Sequence, residues 1–168
     1  MSVLGELQPN KVFKYFEEIC SIPHGSRNLQ QISDYLVDFA KAHELKYRQD
    51  EDLNVIIWKD GSKGYEASEP VILQGHMDMV AVKEADCDKD MEKEGLDLEI
   101  NGDYISAKGT SLGGDDGIAV AYTLAVLDDE EMAHPPIEAI FTVNEEIGML
   151  GAATIDVSDL KGRLFMNM

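Results

Sequence analysis

The run Gly117–Leu127, GIAVAYTLAVL, has no polar face. A helix made of it must be covered on every side, which a layered domain with a sheet against the helix provides and a surface position does not. The rest of the chain supplies the layers. Val12, Tyr15, Phe16 and Ile19 recur at helical spacing within residues 10–20, and Pro23 stops that helix. A second stripe follows at Leu29, Ile32, Leu36, Phe39 and His43, with Asn28 and Gln31 placed as a capping box. Strands are expected at Leu45–Arg48, Val55–Trp58, Val71–Gln74, Ile137–Val143 and Arg163–Met168. A hairpin is expected from Asp97–Ile100 and Tyr104–Ala107 around Asn101-Gly102-Asp103. This order predicts an α/β fold, a three-layer αβα sandwich with helices on both faces of a mixed β-sheet.

The composition can build such a core: 44% of the 168 residues are hydrophobic against 28% charged, and the length fits one domain. A count of 14 Lys+Arg against 33 Asp+Glu leaves a formal charge of −19. That charge argues against nucleic acid and anionic membrane as partners. No stretch has the ~18 apolar residues of a membrane helix, and the start, MSVLGELQPNKV, lacks the regions of a signal peptide. The chain is therefore expected to be soluble and cytoplasmic. Cys20 and Cys87 read as free thiols, Cys20 buried. Residues 83–99 are dense in carboxylates and poor in large apolar groups, so they should form an exposed excursion.

Three groups of acidic or imidazole residues fall at strand ends or just before a helix, where α/β sheets place their sites. Gly75-His76-Met77-Asp78 follows Val71–Gln74. In an extended chain His76 and Asp78 share a face, and a metal-bound imidazole needs a carboxylate to fix its tautomer. A strand-end histidine satisfied by a neighbouring acid gives the same pattern. Gly113-Gly114-Asp115-Asp116-Gly117 leads into the apolar helix. Its acids either cap that helix or offset their desolvation by holding a cation. Asn144-Glu145-Glu146-Ile147-Gly148 leaves the strand Ile137–Val143. One of these glutamates can bind a metal while the other faces the water to be activated, unless both are simply exposed. Order, placement and mixed chemistry together favour a hydrolytic metal site. His24 reads as a turn residue, His43 as a packing residue, His134 as exposed, and the methionines as core filler.

GHMDMV at 75–80, KGTSLGGDDGIAVA at 108–121 and NEEIGMLGA at 144–152 resemble the signatures of the co-catalytic zinc metallopeptidases, the family of carnosinases, tripeptidase T and carboxypeptidase G. ICSIPHGS at 19–26 is similar to its aminoacyl-histidine dipeptidase branch. The resemblance implies two zinc ions, with Co2+ or Mn2+ as possible substitutes. It makes His76 a ligand of one zinc, Asp115 the bridge between both and Glu146 a ligand of the second. Asp78 would orient His76, Glu145 would act as general base, and Asp115–Asp116 would be a cis peptide. The implied substrate is a short peptide, by preference an aminoacyl-histidine dipeptide. Two further ligands, the rest of the catalytic domain and a lid or dimerisation domain lie outside residues 1–168. The chain is thus expected to be the N-terminal part of a catalytic domain, weak in zinc binding and inactive alone, with homodimerisation left to the absent domain. Two rivals are a related zinc amidohydrolase or tripeptidase, and a non-catalytic acidic module holding calcium through residues 83–99 and 113–116.

Overall fold

In the computed structural model, which describes residues 2–168, both N-terminal stripes become helices. They are α1 (Asn10–Cys20), burying Val12, Tyr15, Phe16, Ile19 and Cys20, and α2 (Gln30–Ala42), burying Ile32, Leu36 and Phe39. The capping box does not form. The N-cap of α2 is Leu29, without a side-chain cap, and the Asn28 amide instead donates to the Glu92 carbonyl at 2.9 Å. The strands β1 (Lys46–Gln49), β2 (Val55–Lys59), β3 (Val71–His76), β6 (Ile137–Thr142) and β7 (Leu164–Asn167) form one sheet. β4 (Leu98–Asn101) and β5 (Tyr104–Ala107) make a separate hairpin, and α3 (Gly114–Leu127) connects it to β6.

The sheet order is β1-β2-β6-β3-β7, antiparallel up to β6 and parallel across β6-β3-β7, so it is mixed. Val55, Ile57, Ala139 and Phe141 face the main core, built with α1, α2 and α3. Burying a side chain such as Phe141 stabilises the fold by about 2 kcal/mol. The opposite face is thinner. Ile56, Ile72 and Ile140 form a small cluster there with Trp58, Ile155 and Leu160. The second helical layer is represented among the described residues by α4 (Leu150–Thr154), a short helix for which the sequence showed no periodicity. β7 pairs with β3 and, among the described residues, is exposed at all four positions.

His24, read as a turn residue, lies in the connection between α1 and α2 and is 3% exposed. One histidine expectation is corrected: His134, expected to be exposed, is only 6% exposed. His134 is buried because it pairs with Ser62: its N–H donates to the Ser62 hydroxyl at 2.9 Å, and its carbonyl accepts the Ser62 N–H at 3.0 Å.

Candidate metal centre

Parallel pairing sets His76 of β3 opposite Thr142 of β6. The two chains therefore leave the sheet at the same end, one carrying His76-Met77-Asp78 and the other Asn144-Glu145-Glu146. α3 starts at that end as well. Its N-cap is Gly113 at φ 68°, and Asp115 and Asp116 keep non-helical backbone angles across a cis peptide. Neither acid caps the helix. Buried Asp116 instead accepts the His76 N–H on Oδ2 at 3.0 Å. A Cβ on residue 75 would stand 2.8 Å from that oxygen, which explains Gly75.

The five residues singled out in the sequence meet here. His76 Nε2 lies 3.1 Å from Asp115 Oδ1 and 3.8 Å from Glu145 Oε2. One ligand atom each from His76, Asp115 and Glu146 falls within 4.8 Å of the others. On the far side of the ring, Nδ1 is 2.9 Å from the Asp78 carbonyl and 3.5 Å from its Oδ1. Nδ1–H donating to that carbonyl leaves Nε2 free to ligate. The Asp78 carboxylate also reaches further: Oδ1 accepts the Glu145 N–H at 2.9 Å and Oδ2 the Ser26 hydroxyl at 2.7 Å. Sequence reasoning missed Ser26 in this role, although it lies in the 19–26 motif.

The acids act on one another. Burial works to lower the His76 pKa, but the Asp78 carboxylate, the Asp116 charge and Asp115 outweigh it and hold the imidazole at about 9. Burial, with Asp115 and Glu145 nearby, pushes Asp116 up to about 6 against the pull of His76. Burial and the charges of Asp115, Glu145 and Asp78 raise Glu146, again against His76. Asp78 is held low, because His76, the Ser26 hydroxyl and the Glu145 N–H outweigh its burial. A cluster of carboxylates around one imidazole is the donor set a divalent cation fits, since the cation relieves this crowding. Among the described residues, no comparable group of ligands gathers within 83–99.

Beside the ligands a cleft of about 440 Å³ is lined by polar Gln74, Thr142 and Asn167 and by apolar Ile140, Ile155 and Phe165. Thr142 accepts from the Gln74 amide at 3.2 Å, and Gln74 accepts from Asn167 at 2.6 Å.

No family model matches the chain. The cytosol non-specific dipeptidase of Escherichia coli K12 is 39% identical over 167 residues, covering 99% of this chain and 34% of that protein. The aminoacylhistidine dipeptidase of Vibrio alginolyticus superposes with a TM-score of 0.95 at 39% identity, over 98% of this chain and 34% of that one. Nearly the whole chain is thus similar to one segment of these two dipeptidases. A tripeptidase of Staphylococcus aureus, 23% identical with a TM-score of 0.77 over 97% of this chain and 44% of its own, shares the fold. The chain spans about a third of the length of its dipeptidase relatives. No helix among the described residues is long and apolar enough to cross a membrane.

Proposed function

We propose that residues 1–168 carry the metal-holding and proton-transferring groups of a zinc-dependent dipeptidase of the cytosol, acting by preference on aminoacyl-histidine dipeptides. The observation that carries this reading is the convergence of His76, Asp115 and Glu146 ligand atoms within 4.8 Å, with the Glu145 carboxylate 3.8 Å from His76 Nε2. His76 and Asp115 would hold one zinc, Asp115 and Glu146 the second. Zinc bound there lowers the pKa of a water and polarises the scissile carbonyl. The chain's own residues do the rest. Glu145 takes the proton of the attacking water on its carboxylate and returns it to the departing amine. Asp78 fixes the His76 ring and, through the Glu145 N–H, the turn that carries the base. Two protein ligands per ion are fewer than a catalytic zinc normally has, so this chain alone should bind zinc weakly and leave peptides intact.

The reading is tested by grafting residues 1–168 in place of the matching segment of the Vibrio alginolyticus enzyme and assaying a panel of dipeptides. The graft is expected to hydrolyse aminoacyl-histidine peptides. Glu145→Gln should keep zinc, measured by calorimetry, and lower turnover by a factor of about a hundred or more. Near-wild-type turnover in that variant would remove Glu145 from the role. A graft of full zinc content that prefers tripeptides or N-acyl amino acids would move the substrate to the tripeptidase or amidohydrolase alternative.

A further inference from the structure

Residues 24–28 join α1 to α2 and supply none of the ligand atoms. They nevertheless run beside the site as an added strand segment. The Met79 N–H donates to the His24 carbonyl at 3.1 Å, and the Ser26 N–H to the Met79 carbonyl at 3.2 Å. Gly25 fits there because a Cβ would stand 2.7 Å from the Ala81 Cβ. From this anchored segment two contacts reach the acidic turn. The Ser26 hydroxyl donates to Asp78 Oδ2 at 2.7 Å, and the Arg27 N–H to Asn144 Oδ1 at 2.8 Å. Arg27 at φ 71° and Asn144 at φ 53° are both left-handed, a conformation that non-glycine residues keep when their surroundings hold them. Asp78 Oδ1 then accepts the Glu145 N–H at 2.9 Å. One contact of the segment ends at the residue before Glu145, and the other ends on the carboxylate that binds the Glu145 amide.

We propose that residues 24–28 form a clamp, and that Ser26 is a positioning residue: its hydroxyl sets the Asp78 carboxylate so that Asp78 holds the Glu145 amide and aims Glu145 at the space beside His76 and Asp115. Glu145's part in hydrolysis rests on the proposed function, whereas the clamp rests on the hydrogen bonds alone. The two are therefore tested by different readouts.

The first readout is residue-resolved amide exchange in the metal-free chain. Ser26→Ala should speed exchange at Glu145 and Glu146 by about tenfold, while Ala139 and Phe141 in β6 keep their rates. Ser26→Thr retains the hydroxyl and should keep wild-type protection. Unchanged protection at Glu145 in Ser26→Ala would overturn the clamp. If Ser26→Ala loosens the whole fold, Ser26→Thr decides: wild-type protection at Glu145 supports the hydroxyl's role, and loss of it overturns that role. The second readout uses the graft described above. Ser26→Ala should lower kcat by about tenfold with KM and zinc content unchanged, and Ser26→Thr should restore it. A parent graft that hydrolyses nothing would count against the proposed function, and the exchange data would still judge the clamp.

Discussion

At the residue scale His24 sits buried near the site, with Nδ1 2.6 Å from the Ile22 carbonyl. Burial disfavours its imidazolium and holds its pKa below the ordinary 6.5, against the upward pull of the Ile22 carbonyl and Asp78. Below about pH 6.5 the unfolded chain therefore binds more protons at this residue than the native one. Its contribution to stability is complete above that pH and is lost as pH falls from there toward the native pKa. Urea midpoints measured from about pH 8 down to about pH 5 should fall more steeply for wild type than for His24→Gln, which has no proton to gain. A single histidine carries no periodicity. Whether it is buried depends on segments far along the chain, as with His134 and Ser62, so neither burial was legible in the sequence.

At the element scale α3 is not covered on every side as its composition suggested: Ile118 and Val126 are half-buried and Tyr122 is exposed, while the buried side includes Thr123, whose hydroxyl has no hydrogen-bond partner among the described residues. Thr123→Val exchanges that hydroxyl for a methyl of similar size. The change should raise stability by about 1 kcal/mol, seen as a higher denaturant midpoint with an unchanged slope. α4 shows the opposite case. A Cβ at Gly151 would collide with Asn54 Oδ1 and stand 2.6 Å from Val143, so this short helix is placed by close approach to the residue before β2 and the residue after β6. α1 and α2 could be read from their stripes because their inner faces repeat every turn. α4, at five residues, is too short to repeat.

In residues 1–168 taken alone the two outer strands of the sheet differ. β1 carries Lys46 and Arg48, the charged device that discourages a further strand. β7 carries none: Leu164, Phe165 and Met166 are 58%, 54% and 47% exposed. In residues 1–168 alone such a strand is open to pairing with other chains. Leu164→Lys with Met166→Lys should lower concentration-dependent association in sedimentation velocity while leaving the thermal midpoint nearly unchanged. Equal association in the double variant would show that another surface is responsible.

The sequence alone determined which segments could be helix or strand, since hydrophobic period is a local property, and it singled out His76, Asp78, Asp115, Glu145 and Glu146 as candidates, because residue type and motif are local too. Tertiary structure decided which residues became neighbours. Parallel pairing of β3 with β6 and the return of α3 to the same sheet end brought three distant segments to one point, and packing of residues 24–28 against 77–79 gave Ser26 its partner. These depend on register and on close approach of backbone, quantities that exist only after the chain has folded back on itself.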